Sequence, residues 1–259
     1  MKIAFHLHCH YEHIQPEFAR YLLNIPCYNS YEYTTFITFT KNISEDVIKK
    51  NFERYDYLNL KLLKVDNEGF DIKPFLEILK IILESDYDLI FKLHTKKNDK
   101  WRKALFESLL SSHSNFNRII EHFIFNEKVL LTGLDKCYVC GNKFVYGNNE
   151  NINLLMNEIY PTKKIKNPWG FFAGTMFCSR VYIYKEIIEY FIRKKSILQV
   201  NGSLVSDGSI FHAIERFFGI LPYINEGFTS SISFNQKREF SINKFAEISK
   251  IPVTERFNR

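Results

Sequence analysis

The segment Tyr87-Asp-Leu-Ile-Phe-Lys-Leu-His-Thr-Lys-Lys97 joins a short apolar run to a polar, cationic end. The apolar residues from Leu89 to Phe91 have the length and composition typical of a buried strand. The sequence His-Thr-Lys-Lys at residues 94–97 then falls at the carboxyl end of that strand, the edge where ligands of open α/β sheets bind. Two lysines and an imidazole at this edge indicate an anionic ligand, such as a phosphate or diphosphate. A solvated lysine turn is the alternative.

Three further predicted strands precede this segment, and a predicted helix follows each of them. The strands cover residues 2–7, 33–39 and 60–65, and the helices cover residues 16–23, 44–55 and 73–84. Such an alternation is typical of a parallel sheet covered by helices. The remaining sequence predicts helices over residues 101–110, 115–125, 151–159, 181–194 and 207–218, and strands over residues 129–133 and 171–179. We therefore expect a single α/β domain with a Rossmann-type, mostly parallel sheet flanked by helices.

Composition narrows the class of protein. The chain has 259 residues, of which 46% are hydrophobic and 25% charged, so a sizeable core is expected and disorder is not. The net charge of +6 favours anionic partners, but the basic residues are scattered and lack the dense stripe of a nucleic-acid binder. No apolar run reaches membrane-spanning length, and the start lacks the apolar core of a signal peptide. We expect a cytoplasmic protein that does not bind nucleic acid.

The cysteines are odd in number and dispersed, which predicts reduced thiols rather than a disulfide framework. Cys137 and Cys140 form a C-x-x-C pair, but no second pair stands at the spacing of a zinc site. Buried thiols are therefore favoured over a structural zinc or a redox role.

A polar loop follows the third predicted strand. Gly69 permits a backbone conformation or a close ligand approach that a side chain would block. Asn67 and Asp71 can hydrogen-bond a polar ligand or their own turn, and Asp71 is also placed to cap the next helix. The sequence alone leaves ligand binding and capping open.

The order of these motifs carries a resemblance. The pattern N-x-G-x-D, helix, Y-D-x-x-x-K-x-H-T-K-K, W-R resembles the rhamnan synthesis F family of bacterial polysaccharide glycosyltransferases. The stretches Trp101-Arg102, Phe172–Phe177 and Asp207–Arg216 fit the same family. The resemblance covers residues 1–230, and residues 231–259 are expected to form a basic C-terminal tail. Packing of this tail, pairing with a partner and contact with an anionic membrane surface all remain open.

The resemblance implies a GT-A-like fold and the use of a nucleotide sugar. In that fold, the corresponding strand usually ends in an Asp-x-Asp motif that holds a metal, whereas this sequence has His94-Thr95-Lys96 there. We therefore expect transfer without an Asp-x-Asp-bound metal, with Lys96, Lys97 and Arg102 facing the diphosphate. Magnesium or manganese binding, for example by His94 with His212, remains the alternative.

The resemblance also implies the site residues. The candidates for donor binding are His8, Asn67, Gly69, Asp71, His94, Lys96, Lys97 and Arg102. The candidates for acceptor binding are Trp169, Phe172, Gly174, Thr175 and Met176. Asp207 is expected in the first turn of a helix capped by Ser206, where GT-A-like enzymes commonly carry the base that takes the acceptor proton. A favourable interaction with the helix dipole is the alternative reason for an acid there. Glu215 is expected to pair with Arg216.

The implied reaction moves a hexose, rhamnose-like or other, from a nucleotide sugar to a glycan acceptor during polysaccharide assembly. Work at the inner face of the membrane and peripheral membrane contact would fit this role, and the oligomeric state stays open. One alternative is a metal-dependent phosphoesterase, because His6, His8 and His10 share one face of the first predicted strand. A non-catalytic glycan-binding module is the other alternative.

Overall fold

The computed structural model describes residues 1–27, 31–66, 68–165, 167–198 and 207–258. The strands in these ranges are β1 (Lys2–Cys9), β2 (Glu32–Thr40), β3 (Leu60–Val65), β4 (Leu89–His94), β5 (Val129–Leu134), β6 (Tyr138–Cys140), β7 (Gly170–Phe172), β8 (Phe177–Arg180), β9 (Phe228–Phe234) and β10 (Phe240–Asn243). The α-helices are α1 (Gln15–Leu22), α2 (Glu45–Phe52), α3 (Ile72–Leu83), α4 (Asp99–Leu110), α5 (His113–Phe125), α6 (Asn149–Ile159), α7 (Lys185–Arg193), α8 (Ile210–Phe218), α9 (Leu221–Ile224) and α10 (Val253–Asn258).

Eight strands form one sheet in the order β10-β9-β5-β8-β4-β1-β2-β3. The first four strands of the chain lie side by side and run parallel. Strand β8 is antiparallel to both of its neighbours and joins this half to the β5, β9 and β10 half. The predicted α/β class, with a mostly parallel sheet built from the alternating first half, is confirmed.

Strands β1 and β4 lie at the centre of the sheet and are buried almost throughout. Burial on both faces explains why Leu89 to Phe91 read as a continuous apolar run rather than an alternating one. The polar exceptions are paired across the two strands, His6 with Lys92 and His8 with His94. These four residues occupy alternate positions and share one face of the sheet. We call them the polar stripe.

The predicted strand over residues 171–179 is wrong as a single element. Its first part is β7, which pairs with β6 in a separate two-stranded sheet, and its second part is β8 of the main sheet. The chain turns between them with positive φ angles at Gly174 (87°) and Thr175 (45°). Glycine adopts this conformation without the steric penalty that a Cβ brings, so the turn forms where the sequence has Gly174.

The predicted boundary at residue 230 is also wrong, because it falls inside β9. Strands β9 and β10 complete the main sheet. The chain then returns to β6, where Cys140 N donates to Ser249 O at 2.8 Å and Ser249 N donates to Tyr138 O at 3.1 Å. Residues 231–258 are therefore packed into the domain rather than forming a tail. None of the described helices has the length and apolar character that crossing a bilayer requires.

Candidate active site

A cleft lies at the carboxyl ends of β1 and β4 and consists of two cavities. One has a volume of about 440 Å³, and the rings that line it are chiefly those of Trp101, Phe144, Tyr146, Phe171 and Phe211. The other has a volume of about 560 Å³, and its polar wall includes His8, His10, Thr95, Lys97 and Asn98. We call them the aromatic lobe and the cationic lobe. Both lobes are lined by Phe70, Asp71, His94, Lys96, Trp101 and Thr254.

An ion pair between Lys92 and Asp71 lies beneath the cleft. Lys92 is fully buried, and its Nζ donates to Asp71 Oδ2 and, at 3.0 Å each, to the carbonyl and hydroxyl oxygens of Thr175. Thr175 Oγ1 also donates to Asp71 Oδ2, at 2.5 Å. Burial opposes ionisation of Asp71, but the nearby positive charge and these hydrogen bonds hold its pKa well below the ordinary value. The Asp71 side chain makes no capping hydrogen bond to α3.

The histidines of the polar stripe are neutral at physiological pH. Burial lowers the pKa of His8 to about 4 and that of His94 to about 3, and it lowers the pKa of His6 as well. The hydroxyl oxygen of Thr38 lies 2.9 Å from His6 Nε2 and 3.0 Å from His8 Nδ1, which fixes both rings. His10 lies beyond the end of β1, and its ring packs edge-on against Tyr11.

The residues at this edge do not fit the metal site of an Asp-x-Asp motif. A divalent cation that binds a diphosphate prefers several oxygen ligands. Asp71 is the one carboxylate among the described residues that line the cationic lobe, and it is committed to Lys92. His94 Nδ1 lies 3.4 Å from Asp71 Oδ2. Across the described ranges, no group of three or more His, Cys, Asp or Glu residues is arranged to hold a metal ion.

Lys96 and Lys97 reach the cleft from the turn after β4. Lys96 Nζ lies 3.8 Å from the ring centroid of Trp101, and Lys97 Nζ lies 5.6 Å from that of Tyr11. Both lysines line the cationic lobe, and neither has an ion-pair partner within the described part of the chain. Their ammonium groups are therefore open to an anionic ligand.

Arg102 differs from the prediction, because its guanidinium does not face the cleft. Arg102 is buried, and its Nη1 donates to the carbonyl oxygen of Lys96 at 2.6 Å. Its Nη2 donates to Glu17 at 2.7 Å and to Asp99 at 2.6 Å. With its donors used in this way, Arg102 fixes the turn that carries the two lysines.

The predicted glycine loop lies partly outside the described residues, since Asn67 is not among them. Gly69 has φ +66°, and a Cβ there would stand 2.6 Å from the ring of Phe211. Its carbonyl oxygen accepts the N–H groups of Ile72 and Lys73 at the start of α3. Close packing and the loop conformation therefore explain this glycine, which does not line either lobe.

The predicted acceptor residues divide into two groups. Gly174 and Thr175 line the aromatic lobe. Trp169, Phe172 and Met176 are buried and do not line it, with exposed fractions of 4%, 2% and 0%. The alternation along β7 explains the difference, because Phe171 lines the lobe while Phe172 packs on Tyr138 with ring centroids 4.9 Å apart. Phe171 lines the lobe as one of the rings expected to stack on a sugar, whereas Phe144 and Tyr146 are lining residues that the sequence did not single out.

Asp207 also lies in a different position from the one predicted. Helix α8 begins at Ile210 with Ser209 as its N-cap, so Asp207 precedes the helix, and Ser206 is outside the described residues. Asp207 Oδ2 accepts from Arg216 Nη2 at 2.8 Å, and its Oδ1 accepts from Asn148 Nδ2 at 2.6 Å. It does not line either lobe, and its expected role as a base stays a prediction.

Glu215 on α8 lines the aromatic lobe, although the sequence assigned it only to an ion pair. Its Oε1 accepts the backbone N–H of Gly174 at 3.0 Å, and its Oε2 lies 3.7 Å from Arg216 Nη1. The helical spacing from Phe211 and His212 to Glu215 and Arg216 puts all four on one face of α8. The sequence shows this shared face, but only the tertiary packing shows that the face lines a cleft.

All five cysteines are free thiols, as predicted, and Cys137 and Cys140 are buried. Trp101 Nε1 donates to Cys137 Sγ at 3.3 Å, which fixes the ring that lines both lobes. Burial raises the pKa of Cys137 to about 12.

Sequence comparison gives the family. A model of the family described as rhamnan synthesis protein F matches residues 1–226. The chain belongs to the rhamnan synthesis protein F family. This confirms the resemblance carried by the motifs.

Relatives and solved structures extend the comparison. The protein named uncharacterized protein WxcX of Xanthomonas campestris pv. campestris is 27% identical over 161 residues, which are 60% of this chain and 23% of that protein. The chain thus spans about a quarter of the length of this curated relative.

Two solved structures are also similar to this chain. TarS 1–349 of S. aureus with UDP-GlcNAc has a TM-score of 0.43 and 13% identity, covering 85% of this chain and 54% of TarS. The structure of the galactosyltransferase LgtC with donor and acceptor sugar analogs has a TM-score of 0.40 and 11% identity. The match covers 84% of this chain and 71% of LgtC.

Proposed function

We propose that this protein is a glycosyltransferase that moves a hexose from a nucleotide sugar to a glycan acceptor. The observation that carries the proposal is the cleft with two chemically different lobes that share Asp71, His94 and Lys96. A transferase needs such a layout, because donor and acceptor must meet at one reacting carbon. Membership of the rhamnan synthesis protein F family supports polysaccharide assembly as the process and rhamnose or a related hexose as the sugar.

The donor diphosphate is proposed to bind in the cationic lobe. Lys96 and Lys97 supply positive charge there, and the buried Arg102 holds their turn in one conformation. As the bond between the sugar and the diphosphate breaks, negative charge grows on the leaving phosphate. Fixed ammonium groups stabilise that charge more in the transition state than in the ground state, which lowers the barrier.

The acceptor is proposed to bind in the aromatic lobe. Sugar rings have apolar faces that pack on aromatic rings, and Phe144, Tyr146 and Phe171 offer such surfaces. Gly174 and Thr175 form the part of the wall nearest the Lys92–Asp71 pair. The expected acceptor contacts at these two residues are therefore retained, while Trp169, Phe172 and Met176 would act by packing behind the wall.

Transfer without a bound metal is part of the proposal. The support is the reversal of charge at the end of β4, where His94, Thr95 and Lys96 stand in place of a carboxylate pair. We also propose a cytoplasmic location at the inner face of the membrane. The basis is membership of the rhamnan synthesis protein F family, because activated sugars are made into polysaccharide there.

A screen of nucleotide sugars tests the proposal. The protein would be incubated with UDP-, GDP-, dTDP- and CDP-linked hexoses, and release of the nucleoside diphosphate would be measured. At least one donor should be hydrolysed slowly, and its nucleoside diphosphate should raise the melting temperature by mass action. A protein that neither hydrolyses nor is stabilised by any of them would contradict the proposal.

A further inference from the structure

Glu215 is a carboxylate that lines the aromatic lobe, and only one of its two oxygens accepts a hydrogen bond from the described residues. Its side chain is 20% exposed toward the aromatic lobe. One oxygen, Oε1, accepts the Gly174 N–H, which aims the carboxylate at the turn between β7 and β8. The other oxygen, Oε2, accepts no hydrogen bond within the described residues, and its nearest cation is Arg216 at 3.7 Å. A free carboxylate oxygen is thus presented to the cavity.

Glu215 lines the aromatic lobe, close to residues that the two lobes share. Asp71 and Lys96, which line both lobes, lie near enough to Glu215 for their charges to act on it. Its charge also acts on the buried Lys92. An acceptor sugar in the aromatic lobe would therefore have its hydroxyl beside Glu215 and its reacting partner on the side of Lys96.

Asp207, unlike Glu215, accepts hydrogen bonds at both of its carboxylate oxygens and lines neither lobe. Arg216 and Asn148 occupy its two oxygens, and Gly208 N donates to Oδ1 as well, at 2.8 Å. Its contacts position Arg216, whose Nε also donates to Phe144 O at 2.8 Å. Asp207 thus acts through Arg216 on the wall of the aromatic lobe, as a positioning residue.

We infer that Glu215 is the catalytic base of the proposed transfer, an inference that rests on the proposed function. Glu215 Oε2 takes the proton of the acceptor hydroxyl while that oxygen forms a bond to the anomeric carbon of the donor. The bond from the anomeric carbon to the diphosphate oxygen breaks in the same displacement, and its electron pair leaves with the nucleoside diphosphate. Lys96 and Lys97 face the charge that leaves, and Glu215 ends the step protonated.

The protonation behaviour of Glu215 agrees with this role. Burial raises the pKa of this carboxyl, and the nearby Asp71 raises it further against the opposing charge of Arg216. A carboxylate with a raised pKa is a stronger base and shares a proton more readily with a hydroxyl that is becoming an alkoxide.

The test uses Glu215→Gln, which keeps the hydrogen bond from Gly174 and removes the basic oxygen. With a donor and acceptor that wild type uses, E215Q should lose at least about 100-fold in kcat for transfer. Its Kd for the nucleoside diphosphate, measured by calorimetry, should stay within threefold of wild type. Glu189→Gln, an exposed glutamate on α7 outside both lobes, is the matched control and should transfer normally.

A second variant separates a base from a structural residue. Glu215→Ala should be inactive and should regain activity with added formate, a small carboxylate that fits the vacated space, whereas a structural defect would not respond. Transfer by E215Q within threefold of wild type, or loss of transfer in Asp207→Asn alone, would overturn the inference while leaving the proposed function intact. If wild type binds and hydrolyses no nucleotide sugar, the proposed function itself is wrong.

Discussion

Lys92 and Asp71 form an ion pair that joins three segments of the chain beneath the cleft. Lys92 is in the centre of β4, Asp71 precedes α3, and Thr175 in the turn before β8 bonds to both. A fully buried lysine is stable only when its charge is matched and its donors are used. The pair therefore lies beneath the place where the cationic and aromatic lobes meet.

Removing one partner of this pair should be costly. Lys92→Met leaves Asp71 without its cation, and we expect the free energy of unfolding to fall by about 3–5 kcal/mol. Urea denaturation monitored by circular dichroism measures this change. The double variant K92M/D71N, which removes both charges, should be more stable than K92M alone. Strictly additive losses in the two single variants and the double variant would show that the two residues are not coupled.

The buried histidines predict a loss of stability in mild acid. Their pKa values are lowered in the folded protein, to about 4 for His8 and about 3 for His94, while in the unfolded chain they titrate near the ordinary value of 6.5. The unfolded state therefore binds more protons below that value, and stability falls from about pH 6.5 down to the folded pKa values.

The size of this pH effect is measurable. With His6, His8 and His94 together, the slope near pH 5 should approach about 4 kcal/mol per pH unit, from about 1.4 per proton. Denaturation curves at pH 7.5, 6.0 and 5.0 give the slope directly. His8→Gln should reduce the uptake of protons on unfolding by about one, and an unchanged slope in this variant would contradict the assignment of a neutral His8.

Arg102→Lys tests the support of the lysine turn. Lysine keeps the charge but lacks the planar fork that reaches Glu17, Asp99 and the carbonyl of Lys96 together. We expect unfolding free energy to fall by at least about 1.5–3 kcal/mol and nucleoside diphosphate binding to weaken as the turn loosens. Lys96→Gln should weaken binding without this loss of stability. Equal stability of R102K and wild type in urea would rule out the supporting role.

Gly174 offers a prediction with a matched control. A Cβ at Gly174 would lie 2.9 Å from Trp101 Cζ2, whereas a Cβ at Gly147 would meet nothing within 4 Å. Both glycines have positive φ, so alanine at either should cost about 1–2 kcal/mol of backbone strain. Only Gly174→Ala should also displace the Trp101 ring, alter tryptophan fluorescence and weaken diphosphate binding beside Lys96. Identical behaviour of the two variants would mean that Trp101 is not held against this turn.

The sequence predicted the first half of the fold well because its strands and helices have strong, regular patterns. The apolar run at Leu89–Phe91 strongly predicts a strand, and the periodic segment before it strongly predicts a helix. In the second half of the chain, the predictions were wrong where tertiary contacts determine the bounds of the strands. The split of residues 171–179 depends on pairing with β6 and β5, and β9 crosses residue 230 because it pairs with β5 over a long sequence separation.

The same reasons explain which residues of the candidate site the sequence predicted and which it did not. His94, Lys96 and Asp71 could be found because strand ends and short motifs place them at one edge. Arg102 was misjudged because a guanidinium that bonds backbone carbonyls has the same sequence signature as one that binds phosphate. Glu215 was missed because its neighbour Arg216 suggested an ion pair, and because its contact with the turn at Gly174 is made over 41 residues of sequence.

The central claim is that Lys96 and Lys97 bind the donor diphosphate without a divalent cation. The most direct measurement is calorimetric titration of UDP, GDP, dTDP and CDP into wild type and into the K96Q/K97Q variant, each in EDTA. Lys50→Gln, an exposed lysine on α2, is the control. We predict that at least one nucleoside diphosphate binds wild type and K50Q in EDTA and binds the double variant at least about tenfold more weakly. Binding that requires added manganese and is unaffected by loss of both lysines would contradict the account.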